Sequence, residues 1–277
     1  MQDLRGKVAV ITGSAGGIGA VMAVQMAKEG AKIVVADRRD QPFAILPGTI
    51  DETVAAVKAV GGEAIGVRVD LRQEDQIAAM AQETLSHFGT VDIVINNAGI
   101  QFTAPIWELP VERWDQVMSV NPRATFLVCK AFLPTLMKKR SGNIINISSP
   151  AGRGDGSPNM AVYGASKAAV DYLTLSLAKE VRDYGIAVNC LAPAGAVDTP
   201  ATRHLFPDEA LWRTWEPTEH YVKAAVWLAK QEAGDFTGQL VYSRSLILEQ
   251  GLCEEWCCAT LHGPRKTIPF RNRMFAD

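Results

Sequence analysis

Cysteine is scarce. The five in 277 residues (Cys129, Cys190, Cys253, Cys257, Cys258) are unevenly placed, which excludes a disulfide framework. Cys253, Cys257, Cys258 and His262 stand together near the C-terminus. Adjacent cysteines suit one zinc poorly and no second ligand pair has metal-site spacing, so no metal is expected. Neither sign of charge prevails: 28 Lys and Arg face 30 Asp and Glu, a net charge of −2. That argues against a nucleic-acid binder, which needs a basic face. No apolar run reaches the ~20 residues of a membrane span. No basic-then-apolar leader is visible either, so no secretory signal is read and a cytoplasmic location is expected. Internal repeats and low-complexity segments are also missing.

What is present is an ordinary globular composition, 48% hydrophobic and 21% charged, enough for the full core of one large domain. Short β-branched runs alternate with helical patterns. Strands are expected at 7–11, 32–36, 64–69, 91–95, 143–147, 187–191 and 239–242, and helices at 18–29, 50–60, 74–87, 112–139, 161–184 and 219–232. This alternation predicts an α/β fold, a doubly wound parallel sheet of about seven strands with helices on both faces. Most of the strand runs are apolar without alternation, as burial on both faces requires. The domain spans 1–252, and 253–277, carrying Trp256, Phe270 and Phe275, reads as a C-terminal arm of it. Residues 40–49 form an insertion where a short turn would suffice.

The first strand runs into Thr12-Gly13-Ser14-Ala15-Gly16-Gly17-Ile18-Gly19 and then a helix. Glycines there let the backbone turn sharply and approach a pyrophosphate at the helix N-terminus. With a strand before and a helix after, the string marks a Rossmann-type dinucleotide site, and Gly13, Ser14, Gly17, Ile18 and Gly19 become candidate cofactor contacts. Asp37, closing the second strand, can accept from an adenosine ribose and repel a 2′-phosphate, which favours NAD. Arg38 and Arg39 could attract that phosphate, so NADP stays open. Gly16 offers no basic side chain to it.

Tyr163 and Lys167 are four residues apart, a spacing that stacks them on one helix face. A phenol has an ordinary pKa of about 10 and is a poor base at neutral pH. An ammonium ~5 Å away at an effective dielectric of ~20 favours phenolate by roughly 3 kcal/mol. The pair is therefore a candidate acid/base centre.

Five motifs in order carry a family resemblance: T-G-x-x-x-G-x-G at 12–19, Asn96-Asn97-Ala98-Gly99, Asn121, Ser149, and Tyr163-x-x-x-Lys167. Over about residues 5–252 the chain resembles the short-chain dehydrogenase/reductase family. Residues 193–195 and 40–49 are similar to its hydroxysteroid dehydrogenase-like and citronellol dehydrogenase-like branch. The resemblance implies Tyr163 as acid/base, Ser149 orienting the substrate oxygen, Lys167 holding the nicotinamide ribose and lowering the Tyr163 pKa, and Asn121 anchoring a relay water. It also implies Asp70 and Leu71 near adenine, Asn97 supporting the central sheet and the cofactor, Ala98, Gly99 and Pro193 beside the cofactor, and Thr199 at the nicotinamide carboxamide. Two departures are visible. The serine-to-tyrosine stretch is about one residue longer than usual, and the Pro-Gly after the sixth strand is Pro193-Ala194-Gly195. Ser148 competes with Ser149.

Candidate substrate walls are 101–107, 150–160 (with Gly152) and 200–216. Leu205, Phe206, Leu211, Trp212 and Trp215 in the last either meet an apolar alcohol or ketone or only pack a lid. Arg153, Asp155, Arg203 and His204 could instead read a polar group. The resemblance further implies a homo-oligomer, dimer or tetramer, packed through 118–136 and 168–177. The competing reading is a catalytically silent nucleotide-binding scaffold of the same fold.

Overall fold

The computed structural model describes residues 3–42 and 46–252. The expected arm at 253–277, with its cysteine cluster and three aromatics, lies outside them. Seven strands form one all-parallel sheet: β1 (Val8–Thr12), β2 (Lys32–Asp37), β3 (Ala64–Arg68), β4 (Ile93–Asn96), β5 (Gly142–Ile147), β6 (Ile186–Ala192) and β7 (Leu240–Tyr242). Their order is β3-β2-β1-β4-β5-β6-β7. Among the described residues ten α-helices connect or flank them: α1 (Gly17–Lys28), α2 (Ile50–Ala59), α3 (Glu74–Phe88), α4 (Val111–Met118), α5 (Ala124–Lys139), α6 (Ala161–Glu180), α7 (Pro200–Leu205), α8 (Glu209–Trp212), α9 (Thr218–Ala229) and α10 (Ser243–Glu249). The Rossmann-type fold is thus present, with every expected strand in place.

Strand alternation sorts the apolar residues into two cores. Ala9 and Ile11 of β1 join Met22, Met26, Tyr221 and Leu246 on one face. Val8 and Val10 join Met80, Phe132, Leu136 and Leu177 on the other. Both layers are closed by helices, which is why β1, β4 and β6 are buried at every position. Strand order reverses between β1 and β4, and the crevice at their carboxyl ends is where such sheets bind ligands. Among the described residues no helix is long and apolar enough to cross a membrane.

The structure departs from the expected elements in three places. Residues 112–139 are not one helix: a π turn, Ser119–Arg123, separates α4 from α5. Pro122 in that turn has no N–H for a regular helical bond, and the wider turn absorbs the loss. The stretch 161–184 ends its α-helix at Glu180 and closes with a 3₁₀ turn, Arg182–Tyr184. The short helices α7, α8 and α10 lack a periodic signal long enough to read.

The described part of the insertion folds back on the glycine turn. Arg39 Nη1 donates to Leu46 O at 2.9 Å, and a Cβ on Gly16 would stand 2.3 Å from Pro47 O. Gly16 therefore has no room for a basic side chain. Thr49 then starts α2 with a reciprocal cap, accepting from Glu52 N at 3.2 Å while the Glu52 carboxylate accepts from Thr49 N at 3.0 Å.

Candidate active site

The glycine turn is built to take an anion. No side chain caps the start of α1 and no acidic residue occupies its first turn, so its free N–H groups and positive dipole end suit a pyrophosphate. Gly13 takes φ +68° and Gly17 φ +55°. At Gly19 a Cβ would meet Gly13 O at 2.4 Å and Asn97 Nδ2 at 2.7 Å, which keeps turn and helix in contact. Asn97 braces the turn across the crevice, donating through Nδ2 to Thr12 O (2.8 Å) and Gly13 O (3.1 Å). Thr12 Oγ1 accepts from Asn97 N and Ala98 N, a bracing role not read from sequence. Ile18 is half-buried beside them.

Two cofactor expectations change here. Ser14 is fully buried, and its hydroxyl donates to Ile11 O (2.6 Å) and accepts from Ala36 N (3.1 Å). Its side chain shapes the turn from within instead of facing a phosphate. Asp37 is also buried and engaged: its carboxylate accepts from Ala15 N, Arg38 N and Arg39 N and pairs with the Arg39 guanidinium at 3.4 Å. A carboxylate already bonded and paired repels a 2′-phosphate weakly, so the NAD preference read from Asp37 loses its main support. Asp70 lies in a groove with Arg38, Arg68 and Gln76. Hydrogen bonds from Arg72 hold its carboxyl below the usual range. Leu71 is nearly buried beside it.

The fifth strand and α6 bring the remaining groups together. Lys167 is buried, and its ammonium donates to Ile147 O at 2.8 Å, two residues before Ser149. The same ammonium stands 5.7 Å from the Tyr163 ring centroid. Ser148 and Ser149 now separate: the Ser148 hydroxyl donates inward to Lys167 O (3.4 Å), whereas Ser149 Oγ accepts from Ala151 N (3.2 Å) at the start of the 3₁₀ turn Pro150–Gly152. No described residue accepts the Ser149 hydroxyl proton.

Asn121 sits in the π turn. Its Nδ2 donates to Ile100 O (3.0 Å) and Ser166 Oγ (2.9 Å), and its Oδ1 accepts from Ile100 N (2.9 Å). Ser166 in turn donates to Tyr163 O at 2.7 Å, so Asn121 ties the segment after β4 to the helix carrying the tyrosine. A Cβ on Gly99 would lie 3.3 Å from Lys167 Nζ and 3.4 Å from Asn121 Oδ1; these two polar groups therefore face a shared space that only glycine leaves open.

Beyond β6 the picture is mixed. Pro193 is half-buried next to the strand end. Thr199 is buried and its hydroxyl caps α7, accepting from Thr202 N at 3.1 Å, a bond that competes with a carboxamide. Trp212 packs within residues 200–216, donating to Phe206 O (2.9 Å) and lying under the Arg203 guanidinium at 4.7 Å. It also lines a cavity of about 290 Å³ with Ala194, Trp215, Ile247 and Leu248; Ser149, Tyr163 and Lys167 do not line it. Leu205 is exposed and outside this cavity. The arginines considered as readers of a polar group are engaged internally, Arg153 with Asp171 and Arg203 with Asp198.

Glu216, at the same cavity, is pushed up to about 7 by burial, against hydrogen bonds from Ser243 and the Ala194 backbone. An unfolded carboxyl near 4.5 releases its proton first, so the native state holds more protons between about 4.5 and 7. Stability from this group is full below pH 4.5 and is lost as pH rises through 7, by roughly 3–4 kcal/mol. Glu216→Gln should remove that slope: its melting temperature should exceed wild type at pH 8 and match it near pH 5, as measured by calorimetry.

Residues 7–210 match the profile of the family described as short chain dehydrogenase. The 3beta-hydroxysteroid dehydrogenase 1 of Eggerthella lenta is 36% identical over 255 residues, 87% of this chain and 93% of that protein. Human hydroxysteroid dehydrogenase-like protein 2 is 34% identical over 252 residues, 90% of this chain and 59% of that protein. A structure described as a putative NAD(P)-dependent gluconate 5-dehydrogenase from Beutenbergia cavernae, with NADP bound at low occupancy, is 34% identical with a TM-score of 0.78, covering 87% of this chain and 96% of that one. With the uncapped phosphate turn, the crevice at β1 and β4 and the helix that carries Tyr163 and Lys167, these matches place the chain in the short chain dehydrogenase family of NAD(P)-dependent oxidoreductases.

Proposed function

We propose that this protein interconverts an apolar alcohol, secondary or primary, and its carbonyl compound, with Tyr163 as acid/base. The carrying observation is the packing of α6 on β5: it sets Lys167 against Ile147 O at 2.8 Å and beside the Tyr163 ring, two residues from Ser149. The chemistry that a bound nicotinamide supplies is hydride exchange with the substrate carbon. The chain handles the proton. Ser149 donates to the substrate oxygen and fixes its place, and Tyr163 Oη takes the hydroxyl proton during oxidation or returns it during reduction. Lys167 stabilises negative charge at that oxygen and holds the nicotinamide ribose. A water between Lys167 Nζ and Asn121 Oδ1 carries the proton onward.

Gly13, Gly17, Ile18 and Gly19 would line the pyrophosphate, Asp37, Asp70 and Leu71 the adenosine, and Asn97, Ala98, Gly99, Pro193 and Thr199 the nicotinamide side. One observation favours an apolar substrate: Arg153 and Arg203, the obvious readers of an anionic group, are spent on Asp171 and Asp198. The name of the Eggerthella relative points the same way. A screen of alcohols with NAD(P)⁺ and ketones with NAD(P)H, graded from polyols to terpenoids and steroids, tests the reading. Turnover confined to polyols would overturn the substrate class. Cofactor binding with no turnover anywhere would favour the silent scaffold instead.

Cofactor choice follows from Asp37 and Arg39. With the carboxylate paired, NADH and NADPH should bind within about tenfold of each other, a difference of no more than ~1.4 kcal/mol. Arg39→Ala frees the Asp37 charge, and NADPH affinity should fall by about tenfold or more while NADH affinity holds. Titration of nicotinamide fluorescence measures both; an unchanged ratio would sink the argument. Phe126 of α5 and Tyr172 of α6 are largely exposed on the helices expected to pair, which supports a homo-oligomer that light scattering would detect.

A further inference from the structure

The serine loop is fastened to α6 by a buried ion pair that the chemistry above does not use. Arg153 follows the 3₁₀ turn that begins after Ser149. Its Nε donates to Asp171 Oδ2 at 2.6 Å and its Nη2 to Asp171 Oδ1 at 3.0 Å. This is a two-pronged fit of planar guanidinium to carboxylate, with side chains only 11% and 8% exposed. The pair reaches further. Arg153 Nη1 approaches Val241 O at 3.4 Å, its guanidinium lies 4.8 Å from the Tyr242 ring, and Asp171 Oδ1 accepts from Cys190 Sγ at 3.0 Å. One contact thus joins the serine loop, α6, β6 and β7.

Its position on the helix matters most. Tyr163, Lys167 and Asp171 are spaced by four and share one face of α6. Above Asp171 on that helix the loop presses directly on the backbone: a Cβ on Gly152 would stand 2.6 Å from Ala168 N, and one on Gly164 would stand 2.6 Å from Ala151 O. Those contacts set how near the loop comes. They do not stop it sliding along the helix. A bidentate pair does, because both N–H···O bonds are met in one register only. A buried ion pair adds little net stability over an apolar pair of equal volume, so what it supplies here is geometry.

We propose that Arg153 and Asp171 are positioning residues that hold the Ser149 hydroxyl in register with Tyr163 and Lys167. This rests on Ser149 being the group that orients the substrate oxygen. The pair touches neither substrate nor cofactor, so its loss should lower kcat and leave cofactor affinity alone.

The test uses the full chain, NADPH and para-nitrobenzaldehyde as the carbonyl probe. Arg153→Lys keeps the charge and loses the fork; kcat should fall by about thirtyfold with the NADPH dissociation constant unchanged. Arg153→Met with Asp171→Leu replaces the pair by apolar side chains; it should melt near wild type yet keep the low kcat. Wild-type kcat in either folded variant would overturn the proposal. A cycle with Ser149→Ala separates positioning from general damage. If Arg153 acts through the serine, Arg153→Lys should cost at most about threefold in the Ser149→Ala background. Losses that multiply would mark the pair as structural support and end the proposal. Ser149→Ala with wild-type kcat would instead remove the role given to Ser149 itself.

Discussion

Tyr163→Phe should lower kcat by about a thousandfold or more while NADH and NADPH still bind. The phenol is half-buried on α6, and the substitution deletes one oxygen. The described hydrogen bonds around residue 163 run through its backbone carbonyl, which accepts from Ser166 Oγ; they survive the change. The ring contact with the Lys167 ammonium at 5.7 Å also survives. What disappears is the group proposed to exchange a proton with the alcohol oxygen. Without it, hydride transfer to a carbonyl must build a free alkoxide, and general acid–base catalysis of this sort contributes about 10²–10⁴ in rate. Nicotinamide fluorescence titration and steady-state kinetics on one preparation check both halves. A variant that binds cofactor and turns over near wild-type rate would dismiss Tyr163 as the acid/base.

Lys167→Met should be comparably severe but different in kind. The ammonium is buried and donates to Ile147 O at 2.8 Å. Methionine matches its length and keeps the apolar stem packed, but leaves that carbonyl without its donor, a cost of about 1–3 kcal/mol. It also removes the positive charge next to the tyrosine ring. Catalysis should therefore drop by about a thousandfold, and cofactor affinity should weaken by about tenfold because the ribose loses a ligand. Tyr163→Phe should spare affinity and Lys167→Met should not. If both variants behaved alike in the titration, the separate roles assigned to the two side chains would be wrong.

The residues that were legible in the sequence share one property: their partners are close along the chain or imposed by a local turn. The continuous apolar runs gave the strands, because a strand covered on both faces leaves no alternation to misread. Tyr163 and Lys167 could be paired because a helix converts a spacing of four into a shared face. The π turn at Asn121 was not visible, although Pro122 marked the place; one proline inside a long apolar period also fits a helix that continues, as Pro134 does within α5. Ser14 looked like a phosphate contact because the string does not reveal which side of a tight turn a hydroxyl faces. Arg153 and Asp171 are eighteen residues apart, in a loop and on a helix, and only the packed fold brings them together. Arg39 and Asp37 were read as rivals for a phosphate, whereas two residues of separation let them neutralise each other.

The seam between β1 and β4 has a consequence for how the chain reaches this state. Ala9 pairs with Ile93 in register, and the glycine turn after β1 is braced by Asn97, some eighty residues later. The nucleotide turn is local in sequence, yet its support is not. During synthesis β1, β2 and β3 can emerge and collapse together, but β1 keeps one edge open until β4 arrives. Contacts of such long sequence separation form late because loop closure must precede them. The dinucleotide site thus comes into being only when the two halves of the sheet meet, and until then the first half carries an apolar strand edge exposed to other chains. Binding of cofactor to the completed seam would draw the folding equilibrium forward by mass action.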